Sequence, residues 1–285
     1  MAIRIEGLSP YIPKFLADLH MGCDVTGPGT AQIGCFRGCK FNGKDLRVQQ
    51  MKLDQYRDVF FAFGQKADGS PFATYLQGSA RPGAYWVNHS SYTKARGCPT
   101  LQPGRYSYQR GAHKGHEAMR QAAGVVLIRD ADDDDRIDPE EAIRPDYSAW
   151  AINIHAGGST ALPVGIWSSG CQIIAGGWSG KPWRTWHDIV YRVCAGQKLF
   201  RYTLVDYSMF CKWWNAPKDD KPQWIMYGSN GQAVLEEQEH LAQNGYLAAN
   251  DVTGRWGANT DLAWRRYQRK ALGMQVPDGV KLVQP

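Results

Sequence analysis

Ile152-Asn153-Ile154-His155-Ala156-Gly157-Gly158 is followed, eight residues later, by Trp167-Ser168-Ser169-Gly170-Cys171-Gln172-Ile173-Ile174. The reading of the chain turns on this pair of segments. Ile152 and Ile154 alternate, which predicts a strand over 151–155 that delivers His155. Gly157 and Gly158 open a loop, and Ser-Ser-Gly forms a turn that raises Cys171 before a second strand over 172–174. A catalytic thiol needs a neighbouring base or cation to become thiolate. It also needs donors for the oxyanion that develops on the attacked carbonyl. His155 is the candidate base and Cys171 the candidate nucleophile. Gly170 lets the backbone bend so that N–H groups near Cys171 aim at one spot.

Outward from this centre the chain reads as mostly β. Strands are expected over 58–63, 85–87, 124–129 and 199–205. A Gln102-Pro103-Gly104 turn precedes a strand carrying Tyr106 and Tyr108. A short helix is expected over 183–194. Residues 1–45 are rich in Gly and Cys and show little periodicity. The length of 285 residues suits one large domain or two, and 43% apolar with 21% charged residues excludes a disordered chain. The longest apolar run, 122–128, is far short of the ~20 residues a membrane span needs. Arg4, Glu6, Lys14 and Asp18 leave no apolar leader segment.

The net charge of +6 is uneven. Residues 130–141 hold eight acids and one Arg, leaving 32 basic against 19 acidic residues elsewhere. A basic remainder of that size suits a polyanion: nucleic acid, membrane or cell-wall polymer. The acidic stretch itself fits a twelve-residue calcium loop. Asp130, Asp132, Asp134, Asp138 and Glu141 fall at positions 1, 3, 5, 9 and 12, and Arg136 offers its carbonyl at 7. Asp135 stands at position 6, where Gly is usual. A strand is expected before this loop and at most a short helix after it.

The chain has seven Cys. An odd number speaks against a fully paired disulfide framework. His20, Cys23, Cys35 and Cys39 have a spacing that could hold zinc tetrahedrally. His113 and His116 sit on a Gly-rich loop, where either could bind substrate or serve as a second base.

The pattern changes near Tyr227. Residues 217–222 and 228–231 read as linker. Beyond them Val234, Gln238 and Leu241 fall at helical spacing, Gly245 ends that helix, and a second helix begins near Asn259-Thr260. The series Ala233 to Gln238, Leu241, Gly245-Tyr246, Val252-Thr253-Gly254-Arg255-Trp256-Gly257 and Thr260, then Tyr267-Gln268, resembles the peptidoglycan-binding type 1 family. Thr253 stands where that family carries Asp. The resemblance implies a small three-helix wall-binding module over 227–285, with Trp256 a candidate ligand contact and Thr260 a helix cap. Arg265, Arg266, Arg269 and Lys270 make its last helix basic, which suits an anionic wall.

The His155 and Cys171 segments in turn resemble the active-site motif of the L,D-transpeptidase (YkuD-like) family, His-x-Gly followed by Ser/Thr-His-Gly-Cys. Ser168 matches the Ser/Thr, Ser169 stands where the family has a second His, and Gln172 replaces an apolar residue. Pro103-Gly104-Arg105-Tyr106, Gly111-Ala112-His113-Lys114-Gly115 and Arg129-Asp130 extend the likeness to a group of phage-type proteins.

Together these resemblances imply an α+β chain, with a mostly-β catalytic domain over 1–226 built as a YkuD-like mixed sheet or sandwich. They imply a peptidoglycan-degrading endolysin. Cys171, His155, Gly170 and Ser169 would be catalytic, and His113, Ser168, Trp167, Gln172 and Trp256 would bind substrate. Structural calcium is expected at the acidic loop. The expected partner is bacterial peptidoglycan, with no nucleic acid and no stable membrane insertion. The chain is expected to be a monomer, made in the host cytoplasm and acting on the wall after release. The rival readings are an L,D-transpeptidase and a non-catalytic wall-binding virion protein.

Overall fold

A computed structural model describes residues 2–89, 97–132, 134, 136–148 and 151–283. In chain order the elements begin with β1 (Ala2–Arg4), α1 (Tyr11–Asp18), β2 (Thr30–Arg37), β3 (Cys39–Phe41) and β4 (Asp45–Val48). Next come β5 (Asp58–Gln65), β6 (Pro71–Ser79), α2 (Ala84–Asn88), β7 (Cys98–Leu101) and β8 (Gly104–His113). The middle of the chain holds β9 (His116–Gln121), β10 (Leu127–Asp130), α3 (Pro139–Ala142), β11 (Ile154–Ala156), β12 (Gln172–Ile174) and α4 (Lys181–Asp188). The last are β13 (Phe200–Asp206), α5 (Tyr207–Asn215), β14 (Gln223–Ile225), α6 (Gln232–Gln243), α7 (Ala258–Lys270) and β15 (Lys281–Val283). The chain is α+β.

Eight strands close into a barrel in the order β11-β12-β6-β5-β2-β13-β8-β9. The expected mixed sheet is present, closed into a barrel and not stacked as a sandwich. The pairs β11–β12 and β13–β2 are parallel and the remaining neighbours antiparallel. Closure leaves no edge to protect. The barrel is filled by one set of side chains, among them Ile33, Cys35, Phe60, Tyr108, Ile154, Ile174 and Tyr202. The alternate residues of the same strands, Phe36, Phe61 and Val205, face an outer layer made by Phe15 of α1 and Phe210 and Trp213 of α5. Strands covered on both faces read as continuous apolar runs without alternation. β5 shows such a run, but β2 is interrupted by Gln32, Gly34 and Arg37 and shows neither a run nor alternation, so it gave no strand signal. Residues 85–87, expected as strand, lie in helix α2.

The C-terminal unit has three helical segments, α6, a short 3-10 helix at Ala249–Asp251 and α7, together with a β14–β15 ribbon. The two stretches read as linker are tied down. Lys221 Nζ donates to the Trp213 and Ala216 carbonyls at 2.7 Å each. The Ser229 hydroxyl donates to the Leu19 carbonyl at 2.7 Å, and the Asn230 N–H to His20 O at 2.9 Å.

Candidate functional site

The site grows from the β11–β12 register. His155 pairs with Ile173 in the parallel ladder. Ile154, Ala156 and Ile174 point into the barrel, so alternation turns His155 outward, and Cys171 clusters with Ile173 and Ala175 on that outer side. The turn before Cys171 is braced by Ser168, whose Oγ accepts from the Gly170 N–H at 3.1 Å and donates to the Cys171 carbonyl at 2.7 Å. Gly170 has φ +125°, and a Cβ there would lie 2.8 Å from Pro99 Cγ. The turn therefore accepts only glycine at this position.

His155 is 3% exposed. Its Nδ1 lies 2.8 Å from the Ala156 carbonyl, which can only accept, so Nδ1 carries the proton and Nε2 the lone pair. That Nε2 is buried and has no hydrogen-bond partner among the described residues. The ligand atoms of His113, His155 and Cys171 all lie within 4.8 Å of one another. The His113 and His155 rings are near parallel, 4.2 Å apart at 8°. Trp178 lies against His155 at 5.8 Å and 17°, and His116 stacks on Trp178 at 4.2 Å. His113 Nδ1 meets the Asn153 amide at 3.0 Å, and Asn153 Oδ1 accepts the Gln121 N–H at 3.4 Å.

Burial sets the charge state. It drives the His155 imidazole down to about 3, with His113 adding to the effect, and pushes the Cys171 thiol up to about 11. Burial, then Lys114 and His116, also lowers His113. At rest the pair is thiol and neutral imidazole, not thiolate and imidazolium. Such a pair reacts by general-base transfer of the thiol proton as the sulfur attacks.

The other expected residues sort differently. Trp167 is 37% exposed and stands at the rim, its Nε1 within 2.6 Å of where a Gly158 Cβ would be. Ser168 is buried and spent on the turn. Gln172 is buried inside the barrel, accepting from Tyr202 OH at 2.9 Å and donating to the Gly170 carbonyl at 3.3 Å. Neither faces a substrate. The Gly170 N–H is taken by Ser168 and is lost to an oxyanion. Among the described residues no partner takes the Cys171 N–H, which remains for that role. The carbonyl of Ser169 faces the Cys98 thiol at 3.9 Å, and its side chain makes no hydrogen bond to Cys171 or His155. The histidine that lies beside His155 and Cys171 is His113, from the β8–β9 hairpin.

Sequence reasoning missed Trp178, which no local pattern marked. It also passed over Asn153, although its place two residues before His155 on a strand signals the same face. Trp256 is 2% exposed and packs against Trp264 in the core of the C-terminal unit, so it is a core residue and not a ligand contact. Thr260 lies inside α7, and its Oγ1 accepts from Gln238 Nε2 at 2.8 Å; Gly257 is the residue at the cap. Arg265 is buried against Asp261 at 2.8 Å and does not join a basic surface.

In the acidic loop, carboxylate oxygens of Asp130, Asp132 and Asp134 come within 4.8 Å of one another. Asp130 Oδ1 accepts the Asp134 N–H at 3.1 Å and Asp134 Oδ1 the Arg136 N–H at 2.8 Å. Glu141 accepts the Ala131 N–H at 2.5 Å and the Asp138 N–H at 2.9 Å. Strand β10 precedes the loop and the four-residue α3 follows, as expected. Asp135 lies outside the described residues. The loop is joined to the site through the β7–β10 ribbon, where Asp130 pairs with Cys98. The zinc quartet is not assembled. Cys35 lies inside the barrel, Cys39 in the outer layer, and His20 Nε2 meets Gln223 at 3.2 Å.

Comparison of the chain with protein-family models, with curated proteins and with solved structures returned no match. The class the site defines therefore rests on its own chemistry: a buried cysteine beside a tautomer-fixed histidine with a free lone pair.

Proposed function

We propose that the chain is a cysteine peptidase that hydrolyses an amide of bacterial peptidoglycan through a thioester, with the YkuD-like likeness confined to the Cys/His motif. The observation that carries this is the His155 Nε2 lone pair, unpartnered in the cluster with Cys171 while Nδ1 is pinned to Ala156. Cys171 Sγ attacks the amide carbonyl as its proton passes to His155 Nε2. The Cys171 N–H donates to the oxyanion. The C–N bond then breaks, and His155 returns the proton to the leaving amine. Water next attacks the thioester, giving a proton to His155. The C–S bond breaks and the sulfur takes that proton back. A cleft of about 600 Å³ lined by Lys40, Tyr56, Arg57, Thr160 and Leu162 shares Tyr56 with the Cys171 cluster, although neither Cys171 nor His155 lines it.

The C-terminal unit supports a wall substrate through its motif series and would raise the local concentration of the polymer. The three clustered carboxylates of the acidic loop form an oxygen donor set that fits calcium, which would brace the turn behind Cys171 through β7 and β10. Synthesis in a host cytoplasm, with release to the wall, belongs to the same reading. Mass spectrometry of purified peptidoglycan after digestion tests it. New free amines and carboxyls that vanish with Cys171→Ala support hydrolysis. New cross-links point to the L,D-transpeptidase alternative, and unchanged digestion by Cys171→Ala sinks both.

A further inference from the structure

We propose that His113, His155 and Cys171 form a three-ligand site for a zinc ion, a metal that the peptidase chemistry does not use. The site stands independently of the peptidase reading. Its three donor atoms come from three different elements, yet lie within 4.8 Å of one another, close enough for small side-chain movements to bring them onto one ion. A zinc ion takes nitrogen at ~2.0–2.1 Å and sulfur at ~2.3 Å, and three protein ligands plus one solvent position is a common arrangement.

The independent sign of a ligand is the buried His155 Nε2. A polar atom enclosed without a partner costs stability, and a metal would satisfy it. The carbonyl of Ala156 already holds the other nitrogen, which fixes the lone pair and strengthens it as a donor. His113 has a similar backing group. A half turn of the Asn153 amide presents its oxygen to a His113 Nδ1–H, freeing Nε2 for the metal at the expense of the long 3.4 Å bond from Gln121. The Cys171 thiol, now held by a 3.6 Å contact to the Ala151 carbonyl and by the Asn153 N–H, would lose its proton to solvent and bind as thiolate. Trp178 and Ile173 wall the cluster with apolar surface. Zinc and an acyl group compete for the same sulfur, so zinc-loaded protein is blocked as a thiol nucleophile.

The test is equilibrium dialysis of the full chain against zinc chloride, followed by metal analysis and by alkylation of Cys171 read from its peptide. Wild type should retain one zinc per chain and protect Cys171 from alkylation. His155→Gln and Cys171→Ser should lose that zinc with a native circular dichroism spectrum, and Asn153→Ala should bind roughly 10–100-fold more weakly. Glu239→Gln, exposed on α6, should bind like wild type. Absence of zinc from folded wild type, or retention by both ligand variants, overturns the site. Zinc bound as described beside wall digestion that survives in Cys171→Ala would leave the site standing and remove the peptidase reading.

Discussion

The β11–β12 wall and the C-terminal unit both carry motif residues, but they use them in opposite ways. In the C-terminal unit every polar group of Gln238 is consumed. Its Oε1 accepts the N–H groups of Thr253 and Gly254 at 2.9 and 2.7 Å, and its Nε2 donates to Arg255 O and Thr260 Oγ1. Asp261 and Arg265 likewise satisfy each other. The remaining bonds of that pair reach Tyr147, Ala142, Pro277 and Asp278. At the β11–β12 wall His155 keeps a buried lone pair with nothing bound to it. A residue whose bonds are all spent holds the fold. The open His155 lone pair differs from the open indole N–H groups of Trp256 and Trp264 in having a thiol and a second imidazole beside it.

The widest split between the two regions is expected from Cys171→Ala. Peptidoglycan hydrolysis should fall on the order of 10⁴-fold or more, since removing a member of a nucleophile–base pair costs that much. The melting temperature should barely move, because one small sulfur is lost and its partners are weak. A variant that keeps most of its hydrolysis would place Cys171 among the structural thiols. His155→Gln should lower turnover by about 10²–10⁴-fold, the usual share of a general base.

The C-terminal unit should answer in the other currency. Arg265→Leu leaves the Asp261 carboxylate buried and unpaired, and removal of one partner of such a pair costs about 3–5 kcal/mol. Thermal unfolding should shift down accordingly. Hydrolysis of a short soluble muropeptide, measured well below that melting point, should stay near wild type. Gln238→Leu should cost about 1–3 kcal/mol, because it strands the Thr253 and Gly254 N–H groups. If either variant abolished the muropeptide reaction at low temperature, the two regions would not be separable as argued.

What could be read from the sequence follows the same division. Asn153 and His155 share a face because strands alternate, and the Ser-Ser-Gly turn before Cys171 needs a φ only glycine supplies, so the centre of the site was legible. So was the course of the acidic loop between β10 and α3, whose carboxylates lie at fixed offsets in one short segment. β5 and β13 were legible as strands over 58–63 and 199–205, but β2 was not, and the closure of eight strands into a barrel depends on long-range pairings with no local signal. The zinc quartet failed for a related reason. Spacing places Cys35 and Cys39 four residues apart, but the chain breaks at Gly38, with φ +72°, and sends them into different cores. His113 was visible as a histidine in a Gly-rich turn. Its place beside His155 depends on hairpin β8–β9 reaching β11, a long-range pairing with no local signal.

The smallest effect expected is also the one most specific to the open site. His155 is held neutral in the folded chain, at about 3, whereas unfolded histidine titrates near 6.5. A lowered value means the unfolded chain takes up the proton first. The stabilising contribution is therefore complete above pH 6.5 and is lost as pH falls toward 3. Between pH 7 and 5.5 this one group should remove about 1 kcal/mol of stability. Urea titrations at the two pH values measure it, and His155→Gln should show a loss smaller by that amount. The same burial predicts that hydrolysis keeps its rate well below pH 6, where an exposed histidine base would already be protonated. An activity that instead falls with a midpoint near 6.5 would mean that His155 is open to water in the working protein, and that its lone pair is not held in reserve.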